Sequence, residues 1–411
     1  MTPDESPSTH HVLTDVVVVG AGPGGCAAAI SLARAGIPVT MIDKATFPRD
    51  KCCGDGLTAG ALRSLERLGF DPARVPSWKP VDTVHIAGPR GGAIPFALPH
   101  DNGLFAVIAR RSELDHALVE QAISAGVDVR LGVALNDLTV VEDGIRAHTT
   151  EGLVQASHYV AADGMWSPTR KLLGLQTEGY RGEWHAFRQY FANVSPAAQT
   201  ELYVWFEPDL LPGYVWSFPL ADGTANVGFG IQRGRGIEIQ EMQALWSELL
   251  TRPRIRQGLG PDAEPLDRHT AWPIPARLGE LPIAHGRVLF VGDAVAATDP
   301  MTGEGIGQAL ETGMLAAQAI EDHFGDPVAA RTQYARSLRR GMQTDHRLAQ
   351  ALSGVLANPI LAQASVRLAA ATKWTRRNFA RWLFEDYPRA VVVTPRRWHR
   401  RLFNQPGAYR A

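Results

Sequence analysis

The sequence predicts an α/β protein: a mostly parallel sheet, a mostly antiparallel sheet inserted into it, and a helical C-terminal region. Three observations carry this. Asp15–Val19 reads Asp-Val-Val-Val-Val, the continuous apolar run of a strand buried on both faces, and a glycine-rich turn and a helix follow it. From about 187 to 231 the texture changes to aromatic-rich strands with turn signals at 208–212 and 221–223. The buried-strand pattern then returns at Val288–Val291, so the first layer is discontinuous in sequence.

The elements follow in order. After Asp15–Val19 and the turn Gly20-Ala21-Gly22-Pro23-Gly24-Gly25, Ala27–Ala35 reads as a helix that Gly36-Ile37-Pro38 breaks. Val39–Ile42 is a second strand ending at Asp43, which completes a βαβ unit. Leu57–Leu68 has helical apolar spacing and stops at Gly69. Val81–Ala87 reads as a strand leaving the first layer, Arg111–Ala125 as a helix, and 127–131 and 138–141 as strands. Ser157–Ala162 leads into Asp163-Gly164 at a strand end. Met242–Leu250 and Gly305–Phe324 read as helices. The expected organisation is a disordered tail over 1–12, a nucleotide-binding domain over 13–80, 105–175 and 285–345, a substrate-binding sheet over 81–104 and 176–284, and a helical region over 346–411.

Composition excludes several classes. Lys plus Arg number 41 against 42 Asp plus Glu, so net charge gives no argument for nucleic acid. No apolar run approaches the roughly 18–20 residues of a membrane span, and no charged-then-apolar leader marks the chain for secretion. The three cysteines, Cys26, Cys52 and Cys53, are odd in number and include an adjacent pair, which makes neither a disulfide framework nor a metal site. The histidines are scattered with no pair at ligand spacing, so no metal is expected. A reducing, cytoplasmic setting fits.

Three distant motifs would serve one dinucleotide. Gly20 permits the tight turn after the strand, Gly22 lets backbone approach a pyrophosphate, and Gly25 lets the helix pack close. Pro23 and Gly24 belong to the same turn, and the N-terminus of the helix after it offers free N–H groups to phosphates. Asp43 stands about 20 residues on, where a carboxylate accepts from ribose hydroxyls, with Lys44 beside it. Asp163-Gly164 marks the second site. At the third, Gly292-Asp293 ends a strand, and Asp293 can hold a ribityl or ribose hydroxyl. Pro300, Gly303, Gly305 and Ile306 then open a helix whose small residues admit a flavin ring edge and whose dipole favours electron density there. Together these make an FAD protein with a Rossmann-like domain the leading reading. Only one fingerprint is present, so NADPH, NADH or another reductant would dock transiently as electron donor.

These residues reach a family. The chain resembles the para-hydroxybenzoate hydroxylase-like flavoprotein superfamily over about 14–325, and within it the geranylgeranyl reductase branch. Phe47–Leu57, with Cys53-Gly54, is similar to that branch's cysteine-glycine loop beside the flavin. Arg111-Ser-Glu-Leu-Asp115 resembles a helix start whose Arg helps hold FAD. Pro212–Pro219 resembles the branch's Tyr-x-Trp-x-Phe-Pro strand, and Gly292–Ile306 its flavin segment. Two positions depart from the pattern: Asp299 stands where Asn is expected, and Cys52 where Pro is common. Flavin halogenases share the fold, but they would want Trp-x-Trp-x-Ile-Pro where this chain reads Trp216-Ser-Phe-Pro, and Lys79 lies in no matching context.

On the substrate side, strand alternation puts Tyr214, Trp216 and Phe218 on one face, either as the wall of a cavity or packed against a helix. Cys53 is either a proton donor beside the flavin or a small buried residue in a tight turn. The basic and aromatic tail from Lys373 to Arg410 is either a peripheral membrane contact that collects a lipid or a solvated face. The resemblance implies reduction of C=C bonds in a prenyl or other apolar small-molecule or lipid substrate, by hydride transfer from reduced flavin N5. The alternatives are a monooxygenase acting through a flavin hydroperoxide on an aromatic or natural-product substrate, a halogenase, and a non-catalytic FAD-binding protein. The sequence does not fix the oligomeric state.

Overall fold

A computed structural model describes residues 10–99, 102–398 and 405–410. Its first sheet has eight strands. Five run parallel in the spatial order Val288–Phe290, Gly152–Ala161, His10–Val19, Val39–Asp43, Asp128–Leu131. Val16, Val17 and Val18 are fully buried, as helices on both faces of a parallel sheet require. The helices Pro23–Arg34 and Ile306–Asp322 cross at glycines: a Cβ on Gly313 would stand 2.2 Å from the Gly24 carbonyl oxygen.

The first strand starts earlier than the sequence suggests. Polar residues led us to expect a tail through 12, yet His10–Val12 pair with Gly152–Val154. A parallel neighbour satisfies their backbone whatever their side chains; residues 1–9 lie outside the described residues. Likewise Gly56–Thr58 is a short strand, and the helix expected from Leu57 begins at Ala59, where the Thr58 hydroxyl accepts from the Ala61 N–H.

The second sheet also has eight strands. Along its path lie Glu264–Pro265, Trp184–Ala192, Ala225–Gln232, Tyr214–Pro219, Leu202–Trp205, Thr83–Ala87 and Ile94–Ala97, all antiparallel pairs except Leu202–Trp205 with Thr83–Ala87. One face buries Phe187, Phe229 and Trp205 under the helices Met242–Leu249, which contributes Trp246, and Pro253–Leu259. The other face looks toward the parallel sheet across a cavity.

After Ile306–Asp322 the chain is helical: Pro327–Leu338, Thr344–Leu356, Pro359–Ala369 and Lys373–Leu383. The starts are local in origin. Asp326 and Asn358 each cap a helix whose first residue is proline, and Thr372 with Thr375 forms a capping box. Among the described residues no helix is long and apolar enough to cross a membrane.

Candidate active site

A cavity of about 1300 Å³ runs between the two sheets and under the C-terminal helices. One end is built from strand ends of the parallel sheet. Gly20 sits at φ +105°, and a Cβ there would stand 2.2 Å from the Ala162 carbonyl oxygen. A Cβ on Gly22 would meet, among the described residues, only Arg49 Nη2 at 3.8 Å, so open space lies in front of this turn. Gly20, Gly22, Pro23 and Gly24 line the cavity, whereas Gly25 lies behind the wall, pressed onto the Gly20 carbonyl.

Three acids ring this end. Asp43, with Lys44 beside it, lines the cavity and fixes the turn, its Oδ2 accepting from the Ala21 N–H (2.7 Å) and its Oδ1 from the Ala45 N–H (2.8 Å). Each oxygen keeps a further lone pair. Asp163 Oδ2 accepts from the Thr169 N–H (2.8 Å), while Oδ1 is buried with no hydrogen-bond partner among the described residues. Such an orphaned acceptor at a cavity wall, next to Gly164, suits a ligand hydroxyl. Asp293 follows Gly292 on a short helical turn, with Lys51 Nζ at 4.0 Å.

The cysteine loop forms the floor. Arg111 holds Asp115 through two 2.8 Å bonds and lines the cavity. Lys51 sits over the Trp272 ring at 4.2 Å, and burial lowers its ammonium pKa against the pull of Asp293. Cys53 lines the cavity beside Gly54; its sulfur accepts from the Asp55 N–H (3.4 Å), and burial pushes the thiol up to about 11. All three cysteines are free. Asp55, fully buried, accepts from Tyr190 Oη (2.7 Å), Asn226 Nδ2 (2.8 Å) and the Arg111 N–H (3.2 Å). Arg188, fully buried, clamps Asp50 at 2.6 and 2.7 Å.

Tyr214, Trp216 and Phe218 all line the cavity, with successive ring centroids 6.0 and 6.1 Å apart. They are tied to both neighbours. Tyr214 Oη donates to the Thr302 carbonyl, and Trp216 Nε1 donates to Asn226 Oδ1 (3.0 Å). Gly54 lies beneath Phe218, where a Cβ would come within 3.1 Å of the ring. On the opposite wall Gly292, Gly303, Gly305 and Ile306 line the cavity. Pro300 stands behind it, its carbonyl accepting from Ser353 Oγ (2.8 Å). Beyond the aromatics the wall is apolar: Val84, Ile86, Leu202, Val204, Phe206, Val366, Phe379 and Leu383.

Sequence reasoning did not single out Lys51, Asp55, Arg188, Asn226, Glu304, Glu385 or Arg389. Lys51, Asp55 and Glu304 sat inside quoted motifs, and a charge amid small residues was the signal available. The others meet the site only through long-range packing.

The comparisons agree with this geometry. The FAD binding domain family matches residues 13–324. A menaquinone reductase of Mycolicibacterium smegmatis is 33% identical over 341 residues, covering 74% of this chain and 76% of its own. Digeranylgeranylglycerophospholipid reductase 2 of Methanococcoides burtonii is 30% identical over 311 residues, covering 74% of each. A geranylgeranyl bacteriochlorophyll reductase-like protein of Thermoplasma acidophilum superposes with a TM-score of 0.80 at 23% identity, over 93% of this chain and 99% of that one. A flavin-dependent halogenase gives 0.70 at 25%, over 85% and 66%. Fold and site thus define an FAD-dependent oxidoreductase. The chain belongs to the geranylgeranyl reductase family within the para-hydroxybenzoate hydroxylase-like flavoproteins. The glycine turns, the uncapped N-terminus of the helix Pro23–Arg34 and the orphaned Asp163 oxygen fit that cofactor.

Proposed function

We propose that this enzyme reduces carbon–carbon double bonds of a prenyl or similarly apolar substrate. One observation carries the reading: the cavity continues past the cofactor end into an apolar arm walled by Val84, Ile86, Leu202, Val204, Phe379 and Leu383. Such a wall holds a long hydrocarbon and excludes water. The relatives named for menaquinone and for a geranylgeranyl lipid support it. Bound FAD supplies two-electron transfer to the substrate once it is reduced. The chain's own residues bind, orient and protonate. Gly20, Gly22 and Gly24 with Asp43, Asp163 and Asp293 hold the cofactor, and Tyr214, Trp216 and Phe218 orient the alkene. Cys53, its proton held by burial, borders the reaction space. NADPH, NADH or another reductant visits transiently.

Substrate entry fits a lipid surface. On the helix Pro359–Ala369, Leu361, Ser365 and Leu368 share a face. Ser365 lines the cavity, while Leu361 and Leu368 are 46% and 73% exposed. Arg367, Lys373 and Arg377 are exposed nearby in the chain. We read this face as a peripheral contact with an anionic membrane. The basic tail is smaller than its composition suggests: Arg381, Arg389 and Arg397 are spent on Asp386, Asp299 and Asp345 inside the protein. Arg400, Arg401 and Phe403 lie outside the described residues.

The test is to mix the reduced flavoprotein with a geranylgeranyl lipid or a menaquinone, with and without oxygen, and weigh the product. We expect a gain of two hydrogens without oxygen. A gain of one oxygen atom, seen only in air, would overturn the reading.

A further inference from the structure

Where the helix Ile306–Asp322 begins, three carboxyls and one guanidinium meet beside the cavity, Glu304 at its wall and Asp299, Glu385 and Arg389 behind it. We propose that Glu304 delivers the proton that completes alkene reduction, and that the other three keep that proton on it. The inference rests on the alkene-reduction reading above.

Asp299 and Arg389 are 5% and 3% exposed. If all three acids ionised, two negative charges would stand uncompensated there. Like charges packed together away from water repel strongly. A proton therefore stays in the cluster.

Hydrogen bonds decide where it sits. Asp299 Oδ1 accepts from the Met301 N–H (3.0 Å), the Thr302 N–H (2.8 Å) and Thr302 Oγ1 (2.9 Å), and Oδ2 from Arg389 Nε (3.3 Å). Burial alone would raise its pKa, but Arg389 and these donors overcome it. Glu385 accepts from Gln308 Nε2 (2.8 Å), Arg389 Nη2 (3.4 Å) and Thr58 Oγ1 (3.1 Å). Glu304 has one donor, the Gly307 N–H at 2.7 Å on Oε1. Its Oε2 has no hydrogen-bond partner among the described residues, and the residue lines the cavity. Burial first, then Glu385, push this carboxyl up to about 8; burial raises Glu385 as well, but Arg389, Gln308 and Thr58 oppose that. The other groups facing it are Cys53, on the loop, and Tyr214, on the aromatic strand. A thiol near 11 surrenders its proton less readily at neutral pH than a carboxyl near 8, so Glu304 suits the task better than Cys53.

The step balances. One alkene carbon would take a hydride, one proton with two electrons, from the reduced cofactor. The other forms its C–H bond with the Glu304 proton. The Oε2–H bond breaks and leaves the carboxylate, which water at the mouth reprotonates.

The test uses the full FAD-loaded chain, reduced with dithionite and mixed anaerobically with a geranylgeranyl lipid between about pH 6 and about pH 10. Substrate-dependent reoxidation of the flavin gives the rate, and mass spectrometry the product. In wild type the rate falls as pH rises through about 8. Glu304→Gln slows it about 100-fold or more and flattens the profile, and Glu304→Asp restores part of both. Glu385→Gln moves the fall to lower pH, because a neighbouring charge that raises Glu304 is gone. FAD content and reduction by dithionite stay as in wild type. Without substrate, infrared difference spectra show one carboxyl titrating near 8 that Glu304→Gln removes. A Glu304→Gln enzyme with wild-type rate and profile overturns the proposal, as does a missing infrared titration. If Glu304→Gln loses FAD, the Glu385→Gln shift decides. A wild type that yields no two-hydrogen product sinks the alkene reading itself, a different outcome from failure of Glu304 alone.

Discussion

At Gly20 the backbone stands at φ +105° with a carbonyl oxygen 2.2 Å from where a Cβ would be. Gly20→Ala must move the strand end that carries the phosphate turn. We expect a loss of about 2–4 kcal/mol and a colourless purified protein; a yellow, equally stable variant would refute the steric account. This residue was legible because its constraint is local: a glycine directly after a buried strand. Glu304 was not legible as an acid, since its environment arrives from far away. Arg389, which balances the cluster, pairs with Asp299 across 90 positions. The raised carboxyl also has a stability consequence. The folded protein holds a proton that the unfolded chain releases near 4.5, so this stabilisation is complete below that pH and is lost as pH rises through about 8. Thermal melts should show wild type losing stability relative to Glu304→Gln across that window. A constant difference would mean the proton is not there.

Among the elements, the strand Tyr214–Pro219 and the cysteine loop act as one unit through Asn226. Its Nδ2 donates to the Cys53 carbonyl (2.8 Å) and to Asp55 Oδ2 (2.8 Å), and its Oδ1 accepts from Trp216 (3.0 Å). Alternation in the sequence placed three aromatics on one face, because period two follows from the pleat. It could not tell which strand lies alongside; the register that sets Phe218 opposite Asn226 belongs to the folded sheet. The same limit hid the early start of the first strand, whose partner begins at Gly152. Asn226→Ala would leave a buried indole N–H, a carbonyl and a carboxylate each short of a partner. A cost of about 2–4 kcal/mol follows, and the loop should loosen. Denaturant titration reads the first effect, and faster labelling of Cys53 by a thiol reagent reads the second. Unchanged labelling would show that the loop is held by other bonds, such as the Arg188–Asp50 clamp.

For the whole molecule, the parallel sheet, its antiparallel insertion and the return to the first layer could be read from apolar pattern and turn chemistry alone. The role of the C-terminal helices could not. Composition advertised ten Lys and Arg residues and six Trp and Phe residues between 373 and 410 as one surface. Folding divides them: Arg381 and Arg389 are nearly fully buried in ion pairs, Trp382 and Phe384 face the cavity, and Trp374 is 65% exposed. If the remaining exposed charges sit on a membrane while Leu361 and Leu368 dip into it, affinity should follow the lipid charge. Each basic group near an anionic surface is worth about 1 kcal/mol and is screened by salt. Lys373→Glu combined with Arg377→Glu should therefore weaken co-sedimentation with vesicles of phosphatidylglycerol and phosphatidylcholine by about tenfold or more. Turnover of detergent-dispersed substrate should not change, because neither residue lines the cavity. Wild type should lose the same binding in about 0.5 M salt. Equal binding by variant and wild type, or binding indifferent to salt, would mean that lipid reaches the apolar arm by another route.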